Sequence, residues 1–331
     1  MQYVAELGFQ LTIIDIFAGK TGEVRIFESL SNLNINRPIV TIGSFDGVHL
    51  GHRQVISQLT AHARTVGGSS VVITFHPHPA AVLNPGKNFP VLSTIDEKKL
   101  LMAETGVDCL IVLPFTKEFS LIAYPDFVRD YLVRQLGIDT LLVGYDNKLG
   151  RDGLGRYEEV EALSRQYGFQ VKRLEALAAD EQPISSTMIR GLLAEGKVAE
   201  AAKLLGRDYS LTGRVVGGNH IGTSLGFPTA NLEPDECKFV PCNGVYAIRA
   251  TIDGRQFLGM LNIGNRPTVN HGDEKPTIEA NLFGFEGNIY GTNLTISFLE
   301  KIRNERRFCS VDELRAQLEK DCRLIEGKFG E

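Results

Sequence analysis

The chain has 331 residues, a length that favours two domains over one. It carries 35 Lys and Arg against 40 Asp and Glu, so its net charge of −5 argues against a general electrostatic grip on nucleic acids or anionic membranes. Hydrophobic residues make up 43% and charged residues 23%, which excludes a largely disordered chain. There are 34 glycines, an excess over the usual share of about 7% that calls for an explanation.

The cysteines and the N-terminus indicate the compartment. Five scattered cysteines are a poor disulfide framework and favour a reducing environment. Asp15 interrupts the apolar stretch from Leu11 to Phe17, so this stretch is predicted to be neither a secretion signal nor a membrane span. We therefore expect a cytoplasmic protein.

The first half of the chain alternates short apolar runs with amphipathic stretches. The predicted strands are Ile39–Gly43, Val71–Phe75, Cys109–Leu113, Thr140–Gly144 and Phe169–Leu174. The predicted helices are Gly51–Val66, Ile95–Thr105, Pro125–Leu136 and Tyr157–Tyr167. This alternation predicts a doubly wound parallel sheet, in which ligands bind beyond the carboxyl ends of the strands.

The pattern of predicted helices and strands changes after residue 186. Residues 187–205 are predicted to be helical, with breaks at Gly191 and Gly196. The predicted strands that follow are Tyr209–Val216, Gly244–Ile252, Gln256–Ile263, Thr277–Phe283 and Asn293–Phe298. Closely spaced strands with little helix suggest a barrel. A closing helix is predicted over Val311–Ile325, with Ser310 as its N-cap and Glu313 completing a capping box.

A glycine-rich motif with two histidines follows the first of these strands and opens a helix. It runs Gly43-Ser-Phe-Asp-Gly-Val-His49-Leu-Gly-His52. Glycines let backbone N–H groups approach phosphates, and a helix N-terminus is positive. Residues three apart share a helix face, so both imidazoles are candidates to stabilise a phosphoryl transition state. A zinc site is the competing hypothesis, although no nearby third ligand is evident; His76 and His78 are candidates to line the same crevice.

A second motif, Ser185-Ser-Thr-Met-Ile-Arg190, places hydroxyls at a helix start and an arginine just inside it. Such a group binds anions, whereas the plainer interpretation is an ordinary N-cap. Together with the histidine motif on the same predicted sheet, it favours phosphate binding.

These two motifs resemble those of the adenylyltransferase module of bacterial bifunctional riboflavin kinase/FAD synthetases. The second half resembles their kinase module through Gly226-Phe-Pro-Thr-Ala-Asn231, Asn262-Ile-Gly-Asn-Arg-Pro-Thr268 and Ile278-Glu-Ala280. The resemblance implies a Rossmann-like α/β nucleotidyltransferase domain followed by a six-stranded β-barrel riboflavin kinase domain with a C-terminal helix. The implied organisation is an unassigned extension 1–23, an adenylyltransferase domain 24–186, a connecting helical segment 187–206 and a kinase domain 207–331.

The chemistry that the resemblance implies is two transfers that depend on ATP and Mg²⁺. The γ-phosphoryl group of ATP passes to the 5′-hydroxyl of riboflavin and gives FMN. The FMN phosphate then attacks the α-phosphorus of a second ATP and gives FAD and pyrophosphate.

In the kinase, the resemblance assigns the general base to Glu279, and Mg²⁺ and ATP binding to Thr229 and Asn231. A flap over ATP would include Gly217, Gly218 and Gly222, and the flavin would contact Asn262, Arg303 and Arg306. Without the resemblance, a strand carboxylate, a Thr turn with an Asn cap and solvated surface arginines are the plainer interpretations.

In the adenylyltransferase, His49 and His52 would stabilise charge as pyrophosphate leaves, with Arg190 on the other side of the triphosphate. The other implied ATP-binding residues are Gly43, Ser44, Phe45, Asp46, Asp146, Ser186 and Thr187. No covalent intermediate is needed, because the FMN phosphate is itself the nucleophile.

Three other hypotheses accompany the bifunctional enzyme. Asn147 and Leu149 replace aromatic residues usual in the family, which motivates a monofunctional riboflavin kinase with a degenerate adenylyltransferase module. A flavin-binding regulatory protein would not need Glu279, His49 and His52, and the acidic balance disfavours a nucleic-acid partner. The expected partners are therefore riboflavin, FMN and ATP, with no membrane; the oligomeric state is left open.

Overall fold

The computed structural model describes residues 11–12, 24–86, 89–144, 157–174, 178–179, 182–217, 227–265 and 276–330. Contacts along the chain divide it into two compact units, Met1–Ser185 and Ser186–Glu331. Each unit is described by itself.

The first unit is built on a seven-stranded sheet, counted over its described residues. Its strands are β1 (Leu11–Thr12), β2 (Arg25–Phe27), β3 (Pro38–Ile42), β4 (Ser69–His76), β5 (Cys109–Pro114), β6 (Thr140–Val143) and β7 (Gln170–Arg173). They lie in the order β1-β2-β5-β4-β3-β6-β7, and all neighbours are parallel except β1 and β2. Part of the predicted extension thus joins the sheet through β1.

Helices accompany this sheet, and a short hairpin follows it. They are α1 (Leu50–Val66), α2 (Pro79–Leu83), α3 (Ile95–Ala103), α4 (Lys117–Ser120), α5 (Tyr124–Asp126), the π-helix Phe127–Gln135 and α6 (Tyr157–Tyr167); the hairpin strands are β8 (Ala178–Ala179) and β9 (Gln182–Pro183). Successive residues of one strand belong to different apolar clusters: Val72 lies in one, Ile73 in the other. The sheet is therefore buried on both faces, as its continuous Val and Ile runs require.

The strand order indicates where a ligand-binding crevice lies in this sheet. From β3 the chain proceeds through β4 and β5 on one side, and then crosses to β6 and β7 on the other. In such sheets ligands bind where the order reverses, here at the carboxyl ends of β3 and β6. The predicted parallel sheet is confirmed, and the loop after β3 carries the histidine motif.

The second unit begins with two helices, α7 (Ser186–Ala194) and α8 (Val198–Leu205). The predicted break at Gly191 is wrong, because Gly191 lies inside α7; one glycine costs a helix about 1 kcal/mol without ending it. The predicted break at Gly196 is confirmed: this glycine lies between α7 and α8 and has a φ of 76°. The backbone N–H of Cys242 donates to the Leu193 carbonyl (3.2 Å), so α7 is hydrogen-bonded to a later segment of the same unit.

In the described part of the second unit, six antiparallel strands close into a barrel, as predicted. They are β10 (Tyr209–Val216), β11 (Ala230–Pro234), β12 (Gly244–Ile252), β13 (Arg255–Asn265), β14 (Pro276–Leu282) and β15 (Asn293–Arg303), in the order β10-β11-β14-β13-β12-β15. β11 was not among the predicted strands, because its five residues carry little alternation.

The last helix, α9 (Val311–Phe329), covers one outer face of the barrel. Its Ile325 is buried with Val245, Ala247 and Met260. Ser310 is the N-cap, as predicted, and accepts from the backbone N–H of Glu313 (3.1 Å). The Glu313 carboxylate accepts from the backbone of Cys309 (3.0 Å), one residue earlier than the predicted capping box requires.

Candidate active sites

The loop after β3 is held in place by hydrogen bonds to a distant segment. The Asp46 carboxylate is buried and accepts the backbone N–H groups of Leu92 (2.9 Å) and Ser93 (3.1 Å), while the N–H of Gly47 donates to the Ser93 hydroxyl (3.0 Å). Gly47 has a φ of 78°, which a residue without a side chain adopts most easily. Asp46 therefore shapes the loop through these bonds.

The two histidines meet at the start of α1. His49 is the N-cap, and its Nδ1 accepts from the backbone N–H of His52 (3.3 Å). The rings stack with centroids 3.6 Å apart and an interplanar angle of 18°. Since Nδ1 accepts, the neutral His49 ring carries its proton on Nε2, a donor suited to a phosphoryl oxygen. The Gly51 backbone packs closely against the His49 ring, since a Cβ at Gly51 would lie 3.2 Å from His49 Nδ1.

His52 is a neutral imidazole in this setting. Burial, then the neighbouring His49 ring and the Lys98 ammonium, lower the pKa of His52 well below its ordinary value of 6.5. Its Nδ1 is buried and has no hydrogen-bond partner among the described residues. Orphaned polar atoms of this kind are uncommon in folded proteins and fit a site that receives a polar ligand.

Lys98 is a charged residue of this site that the sequence motifs do not include. Its side chain, 4% exposed, donates from Nζ to the Ser44 carbonyl (2.7 Å) and more weakly to the Thr74 hydroxyl (3.4 Å). Burial lowers the pKa of Lys98 to about 8, and the Asp46 carboxylate opposes that shift. The sequence offered one sign of this burial: Lys98 stands four residues before Met102, so both lie on the buried face of α3.

Three of the predicted adenylyltransferase residues belong to the second unit. Ser186, Thr187 and Arg190 lie in α7, so contacts group them with the second unit, while the histidines belong to the first. Asp146 lies outside the described residues. His78 caps α2 by accepting from the backbone of Ala80 (3.1 Å), a structural role.

The predicted kinase residues form a row across the barrel. Glu279 on β14 pairs in register with Asn231 on β11 and with Asn262 on β13. Residues directly opposite on antiparallel strands share a face, with Cβ atoms about 5 Å apart. On the next strands, Val245 faces Asn262 and Arg303 faces Val245. Register therefore brings together residues far apart in sequence.

Asn281 supports this row and was not predicted. It is buried, and its side-chain amide donates to the Pro228 carbonyl (2.7 Å), next to Thr229. It lies two residues after Glu279 on β14. One strand thus carries the candidate base and also anchors the segment with the candidate metal-binding residues.

The predicted flavin-binding arginines make contacts within the second unit. Arg303 forms an ion pair with the buried carboxylate of Asp321 on α9 (2.8 Å). Arg306 pairs with Glu313 (3.3 Å), and its guanidinium stacks over Phe308 at 4.6 Å. Both arginines are therefore oriented by the segment that leads into α9.

Gly217 lies beside a cavity of about 450 Å³. The cavity is lined by Arg214, Val215, Val216, Gly217, Glu233, Tyr290 and Gly291. A Cβ at Gly217 would meet no atom of the described residues within 4 Å, so packing does not explain this glycine. Gly218 and Gly222 lie outside the described residues.

The comparisons with known proteins identify both halves. The FAD synthetase family model matches residues 32–188, and the riboflavin kinase model matches residues 205–329. The chain belongs to the bifunctional riboflavin kinase/FMN adenylyltransferase family. A member from Listeria monocytogenes is 38% identical over 87% of this chain and 91% of its own, and one from Haemophilus influenzae is 37% identical over 89% and 97%.

One solved structure extends the likeness to three dimensions. A crystal structure described as a macrolide-efflux protein from Streptococcus pneumoniae matches with a TM-score of 0.82 and 28% identity, over 91% of this chain and 98% of that chain. The likeness concerns the fold. Among the described residues, no helix combines the length and apolarity needed to cross a membrane.

Proposed function

We infer that the chain makes FAD in two ATP-dependent steps, riboflavin to FMN and FMN to FAD. The observation that carries this inference is the presence of both family domains in one chain, at identities of 37–38% to relatives described as bifunctional. Those relatives favour two activities over the monofunctional kinase. Asn147 and Leu149, which motivated that alternative, lie outside the described residues.

We propose the loop after β3 as the adenylyl-transfer site. An oxygen of the FMN phosphate attacks the α-phosphorus of ATP, and the bond to the bridging oxygen of pyrophosphate breaks. His49 and His52 would donate hydrogen bonds to the charge that develops there. Gly43, Ser44, Phe45 and Asp46 would form or shape the phosphate-binding loop, and Arg190, Ser186, Thr187 and Asp146 remain proposed ATP ligands.

We propose the row of Asn231, Glu279 and Asn262 as the kinase site. Glu279 would take the proton of the riboflavin 5′-hydroxyl as that oxygen attacks the γ-phosphorus and the bond to ADP breaks. Gly217 and Gly222 would approach the ATP phosphates. Asn262, Arg303 and Arg306 are proposed to contact the flavin, with the two arginines held by Asp321 and Glu313.

Mg²⁺ fits the residues next to Glu279. Mg²⁺ prefers oxygen ligands, takes few from the protein, and shares the rest with phosphates and water. The side-chain oxygens of Thr229 and Asn231 flank Ala230 at the start of β11, beside Glu279, and would hold it. When bound, it would neutralise charge on the transferring phosphoryl group. The described residues contain no cluster of three His, Cys, Asp or Glu that suits a fully protein-bound metal.

The test is to incubate the protein with riboflavin and Mg-ATP and to resolve the products by chromatography. FMN and FAD together support the proposal; FMN alone supports the monofunctional kinase, and neither product supports a flavin-binding protein. Separate reactions that start from FMN measure the second step by itself. The cytoplasmic location and the absence of a nucleic-acid partner stay predictions.

A further inference from the structure

The Lys98 ammonium is buried without a carboxylate partner. Both of its hydrogen-bond acceptors, the Ser44 carbonyl and the Thr74 hydroxyl, are neutral. Lys98 is in none of the ion pairs formed among the described residues; Asp46 acts on its charge electrostatically, and the Asp46 carboxylate accepts backbone N–H groups of residues 92 and 93. Buried charges are normally paired, so this positive charge is left available to an anion.

The buried positive charge of Lys98 lowers the stability of the folded chain. Desolvation disfavours the ammonium, as its lowered pKa indicates, and a methionine of similar length would avoid that loss. The Ser44 carbonyl would also keep one partner without Lys98, because the Thr74 hydroxyl donates to it at 3.1 Å. A structural role in holding the loop therefore does not require a charged residue.

We propose that Lys98 is a positioning residue for adenylyl transfer: its ammonium fixes the Ser44 carbonyl in the phosphate-binding loop and supplies positive charge beside His52. This rests on the proposal that the loop after β3 binds ATP. The charge would favour the triphosphate and the leaving pyrophosphate without direct contact with the reacting atoms.

The proposal gives FAD formation a dependence on pH. Lys98 loses its charge as the pH rises through about 8, so the rate of FAD formation should fall there. The titratable groups that interact electrostatically with Lys98 are Asp46 and His52. The pKa of His52 is lowered well below 6.5, so His52 is neutral above pH 7 and does not change charge near pH 8.

The experiment compares Lys98→Met, Lys98→Arg and Thr74→Val with the wild-type chain. Thr74→Val is the matched control, since it removes a neutral hydrogen bond to the same carbonyl and keeps the charge. For each protein, kcat and KM for ATP in FMN-to-FAD conversion are measured from pH 6.5 to 9.5. Riboflavin kinase activity and the thermal unfolding midpoint are measured on the same samples.

We expect Lys98→Met to lower kcat/KM for ATP by about 10²-fold, the scale of one lost electrostatic group in an active site. The fall near pH 8 should disappear, while kinase activity is kept and the unfolding midpoint stays the same or rises. Lys98→Arg should keep part of the activity and move the alkaline fall beyond the measured range, because arginine stays protonated. Thr74→Val should lose less than tenfold.

Two results would overturn the proposal. One is FAD formation by Lys98→Met within threefold of the wild type; the other is an equal loss in Thr74→Val. If Lys98→Met does not fold, an unchanged alkaline fall in Lys98→Arg overturns it as well. Failure of the wild-type chain to make FAD would refute the proposed function instead.

Discussion

The two candidate sites are held together in different ways. In the first unit, the loop after β3 depends on side chains that reach across 46 residues or more, from Asp46 to Leu92 and from Lys98 to Ser44. In the second unit, strand register aligns Asn231, Glu279 and Asn262. A loop site is therefore sensitive to the few buried groups that support it, whereas a row on a barrel is supported by many backbone hydrogen bonds. The histidine loop lies in the first unit and the Glu279 row in the second, so for variants in either of them the other activity serves as the control.

The sharpest test of this separation is Glu279→Gln. Loss of the general base should lower FMN formation from riboflavin by about 10²- to 10⁴-fold, while FAD formation from added FMN stays unchanged. Product chromatography from each starting flavin measures both. Glu286→Gln, in the exposed loop after β14, is the matched control and should retain both activities. Equal loss of both activities in Glu279→Gln would contradict the assignment of Glu279 to the kinase step alone.

The corresponding test in the first unit uses His49 and His52. His49→Ala combined with His52→Ala should lower FAD formation by about 10²- to 10³-fold and leave FMN formation intact. Since His49 is also a helix N-cap, its alanine variant should lose about 1 kcal/mol of unfolding free energy. His49→Asn keeps a capping side chain, so it should lose activity without that loss of stability. An active His49→Asn variant would limit His49 to capping.

A smaller effect is expected at Asn281. Asn281→Leu leaves the Pro228 carbonyl without its side-chain donor and should raise the kinase KM for ATP about tenfold through displacement of Thr229. It should also cost about 1 kcal/mol of unfolding free energy, the usual net value of one hydrogen bond, since Pro228 is exposed and water can reach its carbonyl. Asn281→His, which restores an N–H donor, should recover part of the affinity. An unchanged KM would show that the segment holds its geometry through backbone pairing alone.

The smallest expected effect concerns acid stability. The pKa of His52 is lowered in the folded chain, so below pH 6.5 the unfolded chain binds more protons than the folded chain. The first unit should therefore lose up to about 1.4 kcal/mol of unfolding free energy for each pH unit below 6.5. His52→Gln should flatten this slope, as measured by denaturant titrations between pH 5 and 7.5. An identical slope in the variant would show that other groups set it.

Periodicity located most of the elements. Buried parallel strands read as continuous apolar runs, and the barrel strands are bounded by glycine and turn residues, so both patterns are local. The strands β2 and β11 were missed because three and five residues carry little pattern. Gly191 was misplaced as a helix break, since helix ends depend on hydrogen bonds and packing as well as composition.

Some of the site residues could be predicted from the sequence and others could not. The histidine motif and Glu279 stand in recognisable motifs, because the chemistry constrains consecutive residues there. Lys98 and Asn281 stand in no such motif, and their partners lie 54 and 53 residues away. The spacing of Lys98 four residues before Met102 is the one local sign of its burial, and it does not indicate the partners of Lys98.

By itself, the sequence determined the two-part organisation, the strand-to-helix loop with its histidines and the family to which the chain belongs. These features follow from short-range patterns of apolar residues, glycines and motifs. The tertiary structure alone decided that Asp46 shapes the loop, that Arg303 is held by Asp321, and that a charged Lys98 lies buried behind Ser44. The physical reason is that burial and hydrogen-bond partners are set by chain segments far apart in sequence, and they determine the charge and orientation of each group.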